Sequence, residues 1–198
     1  AANIKEPPGA KNVKVIQFRK LSSQLGATNE YVGYFRNVSP NNLRYAWVEV
    51  FLNDGSRETT KKFEFIPTDM DCPFSIALPE GLTVVERIAG SEVLQSSYFC
   101  FKLEPAKKEV KEEKLILTGE SPECAFDLKN VKILCDIFTE DGNQVGSGKG
   151  SFYLADDPYT LKAGEKQLFR VAFDLSGTPY DRETALNFTN VVRMVGTR

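Results

Sequence analysis

YAWVEVFLNDG, residues 45–55, is matched without a gap by KILCDIFTEDG, residues 132–142. Both stretches alternate between two sets of side chains and end in Asp-Gly. That pair favours a tight turn between antiparallel strands, because glycine accepts a positive φ. A second match, FSIAL at residues 74–78 with FRVAF at residues 169–173, follows after a longer middle in the second copy. The sequence therefore predicts one β module that is used twice.

Short β-branched and aromatic segments surround both copies of the repeat, and turn residues separate them. No helical pattern of useful length interrupts the series. Regularly spaced short strands without alternating helices favour antiparallel sandwiches over a parallel α/β sheet. The predicted fold is all-β, with two tandem immunoglobulin-like antiparallel β-sandwich domains. Besides the repeats, the predicted strands include residues 13–18, 31–35, 63–65, 82–88, 93–103, 115–117, 151–154 and 187–195.

The length of the chain also favours two domains. Each half of its 198 residues is close to the size of one small sandwich, about 100 residues. Residues 105–114 form the one charge-dense run and predict a linker, either as a solvated loop or as a short helix with Lys and Glu at i, i+4 spacing. We therefore expect a first module over 1–104 and a second over 115–198.

Composition and charge exclude several classes of partner. The formal net charge of −2 comes from 25 basic and 27 acidic residues in a mixed pattern, so no broad positive field exists to attract nucleic acid. No apolar run approaches the roughly 20 residues that a membrane-spanning helix needs. Ala1 and Ala2, followed by a polar stretch with prolines, are typical of a mature N-terminus after signal cleavage, or of a chain trimmed to its ordered part. The first alternative predicts an extracytoplasmic protein, periplasmic, cell-surface or secreted.

Four cysteines are divided evenly between the halves: Cys72 and Cys100, then Cys124 and Cys135. This division permits one disulfide in each module, although four cysteines allow three connectivities. None of the spacings is a zinc pattern, so no metal is expected. The alternative is buried thiols, since Cys135 aligns with Val48 on an alternating apolar face, where a reduced cysteine packs as a small hydrophobe.

Further motifs add a family resemblance. In the first copy VFLNDG, residues 50–55, is followed by PFSIALP, residues 73–79. The second copy has IFTEDG at residues 137–142, and LKAGE at residues 161–165 before its last repeated strand. These motifs resemble the FxLYD domain family and related bacterial immunoglobulin-like modules. The resemblance implies an extracytoplasmic accessory or binding domain without established catalytic residues.

No residue set organises recognisable catalytic chemistry. The chain contains no histidine, which removes histidine-based general base and nucleophile mechanisms. The glycine-rich residues 142–150 lack the spacing of a phosphate-binding loop and predict a flexible continuation of a hairpin. Asp156-Asp157 and the pair Asp69 and Asp71 lack the ligand spacing of a calcium loop and predict turns. We therefore expect no cofactor and no enzymatic activity.

Glu49 and Asp136 align with each other on the repeated strands, which are apolar on both sides. To act as paired catalytic acids they would have to come together from different modules. We instead expect each carboxylate to face a sheet edge or water.

The strand around Trp47 carries the candidate site. Tyr45, Trp47 and Phe51 share one face, whereas residues 46, 48, 50 and 52 form an aliphatic second face. A half-exposed strand is polar on the side that faces water. A strand that is apolar on both faces therefore has both faces covered within the chain, or presents one of them to a partner. Tyr45, Trp47 and Phe51 are the partner-binding candidates.

Two functional hypotheses follow. The first is a non-catalytic two-module protein that acts through protein–protein contacts as an adaptor, adhesin component or assembly factor. The alternative is a carbohydrate-binding module, because sugars stack on Trp and Tyr rings. The chain has one Trp, which favours the first hypothesis.

Overall fold

The computed structural model describes residues 4–21 and 29–198. The predicted features at Ala1 and Ala2 lie outside these residues. The described chain is all-β, as predicted, with antiparallel strand pairing throughout. Its strands are β1 (Val13–Lys20), β2 (Glu30–Asn37), β3 (Leu43–Leu52), β4 (Arg57–Thr59), β5 (Phe63–Ile66), β6 (Asp71–Ala77), β7 (Val84–Val93), β8 (Tyr98–Leu103), β9 (Lys107–Lys111), β10 (Lys114–Glu120), β11 (Lys129–Phe138), β12 (Gln144–Phe152), β13 (Leu168–Asp174) and β14 (Thr189–Thr197). A short helix, α1 (Arg182–Leu186), precedes β14.

The chain divides into two compact units. The first unit runs to Gln95 and includes Asp141–Asn143, and the second comprises Ser96–Glu140 and Gln144–Arg198. The division thus falls before β8, which pairs with β14 of the second unit, and not at the predicted boundary after residue 104. Where the sequence predicted a charged linker at residues 105–114, the structure has strand β9 and the turn into β10. Its charged side chains suit an edge strand, where they discourage further strand pairing.

The first unit is built from two sheets. One has the order β1-β2-β6, and the other has β3 at its centre with β7 on one side and β4 and β5 on the other. The ring of Phe35, on β2, meets the ring of Phe63, on β5, edge-on at a centroid distance of 5.3 Å. The two sheets therefore face each other across a core. Its fully buried large side chains include Phe35, Leu43, Ile66, Met70 and Phe74.

The second unit is a single seven-stranded sheet in the order β8-β14-β11-β12-β13-β10-β9. Its core includes Leu115, Leu117, Ile133, Phe152, Phe169 and Met194. Lys108, on the last strand β9, donates from Nζ to the Phe188 carbonyl at 2.6 Å and the Leu186 carbonyl at 3.2 Å, just before β14. The sheet therefore curls until β9 reaches the segment that leads into β14. Pairing of β12 with β13 makes one sheet where two were predicted.

The two units share the same order of strand pairing. The order β1-β2-β6 in the first unit corresponds to β9-β10-β13 in the second. The strands that pair with β3 likewise correspond to those that pair with β11. Gly33 pairs with Phe74 in the first unit, and Gly119 pairs with Phe169 in the second. A Cβ atom on Gly33 would lie 3.0 Å from the Phe74 ring, and one on Gly119 would lie 2.7 Å from the Phe169 ring. Each ring thus lies over its partner glycine at the equivalent place.

From residue 144 onwards the glycine-rich stretch lies in strand β12, and not in the predicted flexible continuation of a hairpin. Gly146, Gly148 and Gly150 alternate along β12, so all three point to one face. A Cβ atom on Gly150 would lie 2.6 Å from the Arg170 carbonyl oxygen and 2.7 Å from the Val171 side chain. The glycines are therefore there because neighbouring groups occupy the space that side chains would take.

The turn between β9 and β10 is strained. Its central residues, Glu112 and Glu113, have φ of 51° and 58°, which side chains other than Gly, Asn and Asp adopt at a cost. A two-residue hairpin turn with both φ positive prefers Asn-Gly.

We expect the double variant E112N/E113G to raise the free energy of unfolding of the second unit by about 1–2 kcal/mol, because it relieves this left-handed strain. Urea unfolding measures the change. The control E104N removes a carboxylate where φ is not positive and should have little effect. Equal unfolding midpoints for E112N/E113G and the wild type would contradict the strain.

Candidate functional site

The two faces of β3 differ in their surroundings. Ala46, Val48, Val50 and Leu52 are 0–3% exposed. Ala46 pairs with Phe63, whose ring contacts the opposite sheet, so this aliphatic face fills the core. Tyr45, Trp47, Glu49 and Phe51 form the opposite face, which we call the outer β3 face. The candidates predicted from sequence therefore share one face that points away from the core.

Trp47 is nearly covered on this outer face. Its side chain is 7% exposed and lies against Gly90, its register partner on β7, where a Cβ atom would come within 2.4 Å of the indole ring. The ammonium of Lys62 lies over the indole at 4.9 Å from the ring centroid. The indole N–H donates to Glu49 Oε2 at 3.3 Å. Trp47 is thus a fixed part of the sheet surface, whereas Tyr45 and Phe51 remain half-buried.

Glu49 is a buried and paired carboxylate. It is 7% exposed and lies 2.9 Å from the guanidinium of Arg57, which sits on β4. Its counterpart Asp136 accepts from Gln144 Nε2 at 3.0 Å and pairs with Arg193 at 2.9 Å. The expectation that both carboxylates face an edge or water is therefore wrong. Each carboxylate pairs with an arginine, and this pairing offsets the free-energy cost of burying its charge.

A groove opens where the outer β3 face ends, and we call it the Phe51 groove. It encloses about 520 Å³. Phe51 is half-buried within it and Val85 is 61% exposed. Its lining also includes Ile4, Leu52, Lys5 and Arg57. The groove thus combines exposed apolar surface with two cationic side chains.

Charged side chains surround the other end of the outer β3 face. Tyr45 pairs with Glu92 on one side and with Glu64 on the other. The guanidinium carbon of Arg44 lies 4.3 Å from the centroid of the Tyr45 ring. Charged side chains therefore lie around Tyr45 at this end of the face, as Glu49 and Arg57 do near its middle.

No disulfide joins the four cysteines, which corrects the predicted bridges. Cys72, Cys100, Cys124 and Cys135 are 1–5% exposed thiols. In register, Cys72 faces Phe35, and Cys135 faces Gly148 and Val192. The register neighbours of Cys72 and Cys135 are therefore not cysteines, and the alternative of buried thiols that pack as small hydrophobes describes all four.

Burial raises the pKa of Cys100 and of Cys135 from 9.0 to about 12. A thiol that keeps its proton longer when folded stabilises the fold fully below pH 9, and that contribution is lost as the pH rises towards 12. We expect the free energy of unfolding to fall across this window, and to fall less in a variant with Cys100→Ala and Cys135→Ala.

We also expect slow alkylation of the native protein at pH 8.5 and rapid alkylation in urea. Rapid labelling of the native thiols would contradict this burial.

The predicted acidic pairs lie in turns or bind arginine. Asp157 accepts a hydrogen bond from the Tyr159 backbone N–H at 2.9 Å, and Asp71 forms a two-point ion pair with Arg36. Across residues 4–21 and 29–198, no cluster of three or more His, Cys, Asp or Glu side chains is placed to hold a metal ion. Within the same residues no helix has the length and hydropathy of a membrane span.

Lys62, Val85 and Ile4 are the surface residues that sequence reasoning missed. They come from a loop, from strand β7 and from the N-terminal segment, and the folded chain brings them close to β3.

No known protein family matches the sequence. A search of curated proteins likewise finds no significant match.

Proposed function

We propose that this chain is a non-catalytic, extracytoplasmic protein that acts through protein–protein contact, as an adaptor, adhesin component or assembly factor. The partner binds the outer β3 face and the Phe51 groove of the first unit. The observation that carries this proposal is Phe51, a half-buried aromatic ring in a groove beside Val85, which is 61% exposed. Apolar side chains exposed in a groove beside cationic ones are a surface that a protein partner can cover.

Side-chain contacts that fix one wall of the groove favour binding. Arg57, which lines the groove, forms an ion pair with Glu49, and Glu49 accepts a hydrogen bond from the Trp47 indole. Binding then orders few additional side chains, and this lowers the entropic cost of association. Aromatic and arginine side chains also dominate measured interface energies.

The fold assignment belongs to the same proposal. We infer that both units derive from one immunoglobulin-like module related to the FxLYD family. The repeated pairing order and the repeated glycine–phenylalanine pairs support this inference. Such modules in tandem suit a protein whose role is to hold partners.

The carbohydrate alternative is weaker because it depends on the face of an aromatic ring. A sugar that stacks on Trp47 needs an open ring face, and that ring is 7% exposed under Lys62. Tyr45 and Phe51 alone would have to form the platform. Protein contact therefore fits the surface better.

The test is photo-crosslinking from residue 51. A photoreactive phenylalanine replaces Phe51 in one variant and the exposed Lys14 on β1 in a control. We expect a discrete adduct with one protein from residue 51 and none from residue 14. The purified partner should then bind the wild type at least about tenfold more tightly than F51S, as expected for an anchor residue.

Two results would overturn the proposal: no adduct from residue 51, or a purified partner that binds F51S as well as the wild type. An adduct with a polysaccharide would instead support the carbohydrate alternative. Thermal unfolding of F51S checks that any loss of binding does not come from loss of the fold.

A further inference from the structure

Both charged residues that line the Phe51 groove are cationic. They are Lys5, from the N-terminal segment, and Arg57, on β4, and both are exposed. Within residues 4–21 and 29–198, no carboxylate forms an ion pair with Lys5. The ammonium group of Lys5 is therefore available to a ligand in the groove.

Arg57 keeps hydrogen-bond donors for a ligand although it already forms an ion pair. Its Nη1 lies 2.9 Å from Glu49 Oε1. A guanidinium group carries five N–H donors, and this contact leaves several of them over. The Arg57 side chain is 55% exposed, whereas the Glu49 side chain beside it is 9% exposed. The pair therefore presents guanidinium N–H groups to solvent at the groove, and not the carboxylate.

Two further carboxylates near the groove accept hydrogen bonds elsewhere. Asp54, in the turn after β3, accepts from the Ser56 N–H at 2.8 Å and from the Ser56 hydroxyl. Glu86, the β7 register partner of Phe51, accepts from the Arg87 N–H at 2.8 Å. Neither carboxylate is part of the groove lining. The two cations of the groove are thus left for an anionic group from outside the chain.

Apolar surface lies directly beside these cations. Phe51 and Ile4 are half-buried in the groove, and Val85 is 61% exposed. The volume of about 520 Å³ is within the range of sites that enclose a small ligand, about 300–1,000 Å³. Ile4 and Lys5 are consecutive residues, so the groove offers an apolar contact and a cation close together.

We propose that the Phe51 groove binds an acidic segment of the partner protein. A carboxylate of that segment contacts Lys5 and Arg57, and a neighbouring apolar side chain contacts Phe51 and Val85. This inference rests on the proposed function and adds the chemistry of the partner. Hydrogen bonds from lysine and arginine to a carboxylate are stronger than those between neutral groups, and complementary charge selects one partner over others.

Peptide titration of the whole chain, followed by two-dimensional amide NMR, tests the inference. One probe is an acetylated, amidated pentapeptide of alternating leucine and aspartate. The other is its neutral isostere, in which asparagine replaces aspartate. The proteins are the wild type, K5Q, F51S and the matched control K11Q. Lys11 is an exposed lysine that follows in the same N-terminal segment but does not line the groove.

We expect the wild type to bind the aspartate peptide about fivefold more tightly than the asparagine peptide, as one or two partly exposed ion pairs should give. K5Q should reduce this ratio to about two, and K11Q should leave it unchanged. In 1 M NaCl, where charges are screened beyond about 3 Å, the preference should disappear. F51S should bind neither peptide detectably, because it loses the apolar contact that both peptides share.

The inference is overturned if the wild type binds both peptides equally, if K5Q and K11Q give the same ratio, or if the aspartate peptide shifts no groove amide. Inorganic phosphate that binds more tightly than the aspartate peptide would also overturn it, because the site would then hold a free anion. Thermal unfolding of each variant separates these results from a loss of fold.

A failure of this inference is distinguishable from a failure of the proposed function. Equal binding of the two peptides, lost in F51S, would keep the groove as a partner site and remove only the acidic character of the partner. Absence of any crosslinked protein from residue 51 would instead remove the proposed function.

Discussion

Gly150→Ala is expected to lower the free energy of unfolding of the second unit by about 3 kcal/mol or more, the upper range for overpacking a core. The added methyl group would lie 2.6 Å from the carbonyl oxygen of Arg170 and 2.7 Å from the side chain of Val171. The Arg170 carbonyl belongs to the paired strand β13 and cannot move without disturbing the sheet. Urea unfolding of the variant measures the loss.

Gly148→Ala is the matched control on the same strand. Its Cβ atom would lie 3.3 Å from Val171 and 3.4 Å from the Ala172 carbonyl, so small shifts accommodate it. We expect a loss of less than about 1 kcal/mol. Equal losses for the two variants would mean that glycine is needed in β12 for its backbone freedom and not for the space around it.

Arg193→Met is the second large effect, with an expected loss of about 3–5 kcal/mol, typical of breaking a buried ion pair by removing one partner. The side chains of Arg193 and Asp136 are 4% and 14% exposed, and their charged atoms lie 2.9 Å apart. Without Arg193, the Asp136 carboxylate stays partly buried and loses its cationic partner, while it keeps the hydrogen bond from Gln144. Arg193 also donates to the Val191 carbonyl, which loses that bond.

Arg36→Met provides the comparison in the first unit. Arg36 and Asp71 form a well-aligned ion pair at 2.6 Å, but their side chains are 47% and 39% exposed. Solvent screens such a pair, so the variant should unfold close to the wild type. If Arg36→Met cost as much stability as Arg193→Met, burial would not explain the difference between these pairs.

Periodicity in the sequence predicted the fold class and the repeated strands, because residue alternation reflects which face of a strand is buried. The aliphatic residues Val48 and Val50 did turn inwards, and Trp47 and Phe51 turned outwards together. The unit boundary was harder to predict. Strand β8 precedes the charged run in sequence yet pairs with β14, about ninety residues later, and such long-range pairing leaves no local pattern.

The chemical details of the candidate site were also beyond the sequence. Two faces of apolar residues did not reveal that Glu49 is buried between Trp47 and Arg57, because this depends on β4 pairing beside β3. In the sequence Lys62 is an ordinary lysine between two strands, and only the folded structure places its ammonium over Trp47. The glycines of β12 resembled a flexible loop because the groups that fill their space lie on β13.

Amide hydrogen exchange of the captured complex, compared with the free protein, tests the central claim most directly. If the outer β3 face and the Phe51 groove bind the partner, exchange should slow in β4 and in the connection at residues 60–62, with no change in β11 or β12. Protection confined to the second unit, with β3, β4 and residues 60–62 unchanged, would contradict the account.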